Sequence, residues 1–459
     1  MITFNCEVSQ NEFLAEGVGE VHAVITVTAR DEAAAGADAT GPNATDPNAT
    51  MTARGVFARP RGDAGRPAGA AVPGDAPGAA EVIILDCSGS MEYPQSKIIE
   101  ARRAARAAID ALPDGVAFAV VEGTEQARVV YPERRVLVTA TAQTRAEAGR
   151  AVARLRPHGG TSMGRWLRLT AQLMASRPDA IHHAILLTDG QNGESAKALE
   201  AALAACEGAF QCDCRGVGDD WRVDELRQIS TRLLGTVSLL REPAQMADDF
   251  RALIAKALAR GVADVALRVW TPKGSTTRFL RQVSPEVDDL MPRAVEVNPF
   301  TRDHPTGAWA AGTREYHLCV DVPPADVGDE RLAARVSLVV GGEVVTQARV
   351  RAVWTEDAEL STRIDGVVAH YSGQAELARA VQDGLAARRA GDEDSAVTLL
   401  GQAARIAAAA DDGAMLDRLG KVIEIDDPVT GSVRLRRDVE KLDEMDLDAG
   451  STLTVPAKR

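Results

Sequence analysis

Aromatic residues are scarce in this 459-residue chain: five Trp, four Tyr and eight Phe, 4% of the total. That leaves little material for the stacking platforms on which single-stranded nucleic acids are bound. Positive charge is also in deficit. The 52 Lys and Arg face 66 Asp and Glu, a formal net charge of −14, which argues against the basic footprint of a general nucleic-acid binder. Six cysteines in a chain this long make no disulfide framework, and Cys6, Cys87, Cys206, Cys212, Cys214 and Cys319 read as buried free thiols. Cys206, Cys212 and Cys214 do not have the paired spacing of a zinc site. No apolar run approaches the length of a membrane span. The opening MITFNCEVSQNEF has neither the basic stretch nor the apolar core of a secretory signal. A cytoplasmic location is expected, with no membrane or nucleic acid among the partners. Asn43 and Asn48 fit the glycosylation pattern only by chance in that compartment.

Apolar and polar residues alternate over 2–8 and 19–30, as half-buried strands do. From 31 to 80 the composition shifts to Ala, Gly, Pro, Asp and Thr without a period, which reads as a flexible insert. Residues 81–260 alternate short apolar strands with amphipathic helices: EVIILD, SKIIEARRAARAAIDAL, VAFAVV, then IHHAILLTD and beyond. This is the pattern of a doubly wound, mostly parallel sheet covered on both faces. His182 and His183 fall at the start of a strand, one for each side of the sheet, as core or edge histidines. Residues 261–357 are strands only, in outline an antiparallel β-sandwich. The orphan strands before residue 30 need partners, and this sandwich is the simplest source. The α/β unit is therefore expected to be inserted in a sandwich built from both flanks. Residues 358–426 read as a helical hairpin with a third helix, a tetratricopeptide-like spacing being the other reading. Residues 427–459 form an acidic, Thr-containing tail, of which residues 438–459 are expected to be disordered.

Three separated stretches carry the chemistry. Asp86-Cys87-Ser88-Gly89-Ser90 closes the first strand of the α/β unit, and alternate positions in extended chain share a face, so Asp86, Ser88 and Ser90 can enter one pocket. Thr161 follows the Gly159-Gly160 loop, and Asp189 ends the strand beginning near Ile181. In a doubly wound sheet the loops at the carboxyl ends of the strands converge on one crevice. Two carboxylates and three hydroxyls are an all-oxygen set suited to a small hard cation, Mg²⁺ or Mn²⁺. With only two carboxylates the ion keeps residual positive charge and can accept a further carboxylate. The same residues could instead merely cap turns and helices. GVGDDW (216–221) has no lysine-bearing phosphate cradle and reads as a turn. Asp219 and Asp220 follow a strand and read as a solvated loop at the crevice rim.

This constellation resembles the adhesion site of the von Willebrand factor A family, which reads Asp-x-Ser-x-Ser, then Thr, then Asp. Asp86, Ser88, Ser90, Thr161 and Asp189 match it without departure, and the resemblance covers roughly residues 78–260. Beyond the motif, the whole chain resembles intracellular actinobacterial members of that family associated with Ser/Thr phosphorylation systems. The resemblance implies a non-enzymatic adaptor whose bound Mg²⁺ captures an acidic side chain of a protein partner. It also raises phosphorylation of Thr452 or Thr454 in the tail, read by an Arg-lined phosphothreonine (FHA-type) partner. The alternative is a non-catalytic subunit of an ATP-dependent chelatase or remodelling complex, for which a separate ATPase is required because no Walker motif is present. A hydrolase using the bound ion is a third reading, one for which the sequence places no general base.

Overall fold

A computed structural model describes residues 2–31 and 78–457; the expected insert and its two Asn-x-Thr sites lie almost wholly outside them. Among the described residues the central sheet has seven strands. Its order is Val237–Leu240, Gln211–Val217, Ile181–Thr188, Ala79–Asp86, Ala117–Gly123 and Ala127–Tyr131, with Val138–Thr139 also paired to Ala117–Gly123. The first five run parallel and the last pairings are antiparallel. The leading strand shows why the sheet sits between two layers. Val82 and Ile84 pack with Trp166, Leu167 and Leu186 on one face, while Ile83 and Leu85 pack with Ile98, Ile109 and Phe250 on the other. All four are almost fully buried, and each contributes about 1.5–3 kcal/mol by leaving water. On that second face the helix Ser96–Ala111 offers Ala101, Ala104, Ala105 and Ala108, small residues that let the helix Met246–Leu258 lie close.

The sandwich is assembled from both flanks. One sheet runs Ile2–Gln10, Glu20–Asp31, Gly312–Asp321, Thr276–Ser284 and Asp288–Asp289. The other runs Val295–Asn298, Thr301–Trp309, Val262–Trp270, Glu330–Val340, Glu343–Trp354 and Phe13–Leu14. The orphan strand Glu20–Asp31 thus pairs with Gly312–Asp321 across the whole inserted unit, from Glu20 opposite Asp321 to Ala29 opposite Gly312. The chain enters the α/β unit at Gly78, whose carbonyl accepts from Ile181 N (2.7 Å), and leaves it at Gly261, whose N donates to Trp309 O (2.9 Å). Both crossings lie at the amino ends of the parallel strands. A buried polar group sits at the same end: the ring of His183 donates to Glu81 and to Asp213, each at 2.8 Å. Burial would lower the His183 pKa, but the two carboxylates outweigh it and raise it. Burial would raise Asp213, and the histidine holds it well below the usual range instead. His182, on the other face, meets the backbone oxygens of Ala209 and Arg177.

The carboxyl-terminal part departs from expectation in two places. Helices Gly366–Ala390, Glu393–Ala409 and Gly413–Val422 follow one another, but from Ile423 the chain forms a small hairpin, Ile423–Asp427 with Ser432–Leu435, instead of continuing helical to 426. The tail, expected to be disordered, contains the helix Lys441–Gly450 with Met445, Leu447, Asp448 and Ala449 buried. Its acidic residues are paired rather than solvated. Asp448 accepts from Arg227 and Arg389 (2.9 and 3.0 Å), Asp443 and Asp446 from Arg241 (2.7 and 3.0 Å), and Glu444 from Arg388 (2.7 Å). After the helix, Val287 N donates to Thr452 O and Thr454 N to Pro285 O, so the segment lies along the sandwich by backbone hydrogen bonds. Among the described residues no helix is long and apolar enough to cross a membrane, and all six cysteines are free and buried.

Candidate metal centre

The strand Ala79–Asp86 delivers Asp86 to the carboxyl edge of the sheet, where its side chain is fully buried. One carboxylate oxygen accepts from Ser88 N at 2.7 Å and the other from the Thr188 hydroxyl. Burial pushes the Asp86 pKa up to about 6; the bonds from Ser88 and Thr188 oppose the rise, and the charge of Asp189 adds to it. Ser88 and Ser90 lie on the same side of the turn, their hydroxyls 3.0 Å apart. Ser90 Oγ in turn donates to Asp189 Oδ1 at 2.6 Å, joining the first and third stretches.

Gly190 locates the second stretch. A methyl group built there would stand 3.1 Å from Ser90 Oγ, 3.3 Å from Thr161 Oγ1 and 3.7 Å from Ser88 Oγ. Three hydroxyls therefore surround a small space that a residue without a side chain leaves open. The Thr161 loop is held against its neighbours by its backbone. Gly89 N donates to Gly159 O (3.0 Å), His158 N to Cys87 O (2.7 Å) and Gly193 N to Thr161 O (2.7 Å). Three further acceptors order the approach to the helix Met163–Met174, whose first N–H groups have no partners within the helix. Glu125 accepts from Gly160 N (2.6 Å), Asn192 from Met163 N (3.1 Å) and Glu194 from Gly164 N (2.7 Å). At the next strand end the indole of Trp166 donates to Thr124 O and lies over Gly123, where a Cβ would meet the ring at 2.4 Å. All five residues singled out in the sequence are brought together.

Lys97, Thr188, Glu125, Asn192 and Glu194 were not singled out. Lys97 matters most. Its ammonium is buried and donates to Asp189 Oδ2 at 2.7 Å, with Asp220 Oδ2 at 3.4 Å. Burial would lower its pKa, but the bond and charge of Asp189 outweigh that and raise it. Asp220 is thus drawn toward the crevice by this lysine rather than standing as a purely solvated loop charge.

The von Willebrand factor type A domain family model matches residues 80–239, and the von Willebrand factor type A C-terminal domain model matches residues 409–451. The solved von Willebrand factor type A protein from Catenulispora acidiphila is 47% identical with a TM-score of 0.86, over 99% of this chain and 97% of that one. The chain belongs to the von Willebrand factor type A family. Divalent-metal binding at a site of this kind is typical of that family, and its domains are mostly non-enzymatic interaction modules. The second matched segment spans the helix Gly413–Val422, the small hairpin and the tail helix, so the ordered tail is part of a type A protein's own architecture. The ArnB paralog VWA2 from Sulfolobus acidocaldarius shares the fold, with a TM-score of 0.51 and 12% identity over 98% of each chain. An uncharacterized Synechocystis protein, sll0103, is 28% identical over 214 residues, 45% of this chain; the chain spans about half the length of that curated relative.

Proposed function

We propose that this type A protein is a metal-dependent protein-binding adaptor. Asp86, Ser88, Ser90, Thr161 and Asp189 would hold Mg²⁺ directly or through water, and the ion would supply the positive charge that attracts an acidic side chain of a partner protein. The observation that carries the reading is the ring of three hydroxyls around Gly190, tied to Asp189 through Ser90. The donor set fits the ion: oxygens only, with Asp86 oriented by Thr188 and Ser88 N and Asp189 oriented by Ser90 and Lys97. Lys97 already neutralises one of the two carboxylates. A bound divalent cation therefore keeps net positive charge, and that charge is what attracts a carboxylate. The chemistry the ion would supply is electrostatic attraction of that carboxylate.

The test is affinity purification of partners in millimolar Mg²⁺ and in EDTA, with calorimetry of Mg²⁺ on the purified chain. Asp86→Ala is expected to lose both the Mg²⁺ heat and the EDTA-sensitive partner while keeping its circular dichroism. Partner recovery unchanged by EDTA and by Asp86→Ala overturns the reading. A place in Ser/Thr phosphorylation signalling, with phosphate on Thr452 or Thr454, belongs to the same proposal. It requires the tail to leave its seat, because the Thr454 hydroxyl is buried and backbone hydrogen bonds hold both threonines to the sandwich.

A further inference from the structure

The outer face of the five-stranded sheet holds a second cluster of donor atoms, far in sequence from the hydroxyl ring. Glu20 and His22 are two residues apart on one strand and so share a face. Cys319 lies directly across from His22 in the antiparallel register. His22 Nε2 is 2.8 Å from Glu20 Oε1, and Cys319 Sγ is 3.6 Å from that oxygen and 3.9 Å from Nε2. In a tetrahedral zinc site with bonds of 2.0–2.3 Å, neighbouring ligand atoms stand about 3.3–3.6 Å apart. The three separations bracket that span, so small side-chain rotations bring all three atoms onto one ion.

Each donor is also oriented from behind. His22 Nδ1 is hydrogen-bonded to His317 Nε2 at 3.0 Å, which leaves Nε2 aimed at the cluster. The second oxygen of Glu20 accepts from Arg278, and Arg278 is anchored on Asp321 by two further bonds (2.6 and 3.1 Å). Outer partners of this kind fix the ring and the carboxylate of metal ligands. The Cys319 side chain is buried, whereas those of Glu20 and His22 are 38% and 27% exposed, so an ion can enter from solvent and retain a water.

We propose that Glu20, His22 and Cys319 form a transition-metal site of the zinc class, with solvent in the fourth position. The thiolate and imidazole select a borderline ion over Mg²⁺, which separates this site chemically from the all-oxygen crevice. The competing arrangement is an imidazolium of His22 donating to Glu20 and His317 beside an uninvolved thiol. Cobalt is the probe that separates the two. Full-length chain freed of transition metals and held in millimolar Mg²⁺ to occupy the all-oxygen crevice is expected, on titration with Co²⁺, to develop a thiolate-to-cobalt charge-transfer band and intense tetrahedral d–d bands, saturating at one ion per chain and bleached by Zn²⁺. Cys319→Ser should abolish the charge-transfer band with its thermal midpoint kept, and His317→Gln should weaken cobalt binding roughly tenfold. Asp86→Ala should leave the band unchanged, so that failure of the Mg²⁺ reading and failure of this one are read separately. The proposal is overturned if the folded wild-type chain shows no charge-transfer band, or if the band survives Cys319→Ser.

Discussion

Lys97 changes how the crevice behaves at the scale of single residues. Asp189 is fully buried, and its carboxylate is met by a buried ammonium and one serine hydroxyl. Removing one partner of a buried ion pair leaves an uncompensated charge, at a cost of about 3–5 kcal/mol. Lys97→Met is therefore expected to lower the thermal midpoint sharply in EDTA, with much of the loss recovered in millimolar Mg²⁺; equal losses in both buffers would contradict the role given to the lysine. Gly190→Ala probes the ring from inside. Its methyl group would crowd three hydroxyls, so calorimetry should show Mg²⁺ binding weakened roughly tenfold or more while the fold persists. The five oxygens were legible because alternate spacing in an extended turn and the ends of apolar strands are both local patterns. Lys97 was not. At the head of an amphipathic helix it reads as a solvated charge, and its burial depends on carboxylates 92 and 123 residues away.

At the scale of elements, the tail helix Lys441–Gly450 is the largest departure from the sequence reading. KLDEMDLDAG has too few apolar residues for a visible period, and its order comes from arginines on other elements. Asp448 is the node, bound by Arg227 of the helix Val223–Arg232 and by Arg389 near the end of the helix Gly366–Ala390. Asp448→Ala leaves both arginines short of a partner and should cost about 1–3 kcal/mol. Limited proteolysis should then cut within residues 436–457 much faster than in the wild type. The small hairpin after Val422 was missed for a related reason, since IEIDD and SVRL are each too short to distinguish from a frayed helix end by pattern alone.

At the scale of the whole molecule, the insertion of one unit in another was readable because two strands without partners must pair somewhere. The polar joint was not readable, since His183, Glu81, Asp213 and Arg260, whose guanidinium stands 3.7 Å from the Asp213 carboxylate, come together only once the sheet is built. Beside that joint lies a cavity lined by Lys256, Arg260, Glu286 and Arg293, where Glu286 also forms the bridge to Leu453 of the tail. Burial, with Asp288 nearby, raises the Glu286 pKa to about 7. The folded state thus binds a proton that the unfolded chain releases near 4.5, so this group's contribution is full below that pH and is lost as pH rises through 7. Glu286→Gln should stabilise the protein by about 3 kcal/mol at pH 8 and by less than about 1 kcal/mol at pH 5, as measured by urea unfolding at the two pH values. The two chain crossings at Gly78 and Gly261 have a different consequence. They fasten the sandwich beneath the sheet while the oxygen crevice opens on top, and eight residues of the strand Ile181–Thr188 separate the two levels by about 25 Å. A short acidic peptide seated in the crevice cannot touch the platform underneath. On the proposed function, only a visitor as tall as the sheet could lean on both, so the stature of the partner would decide whether the lower storey is touched directly.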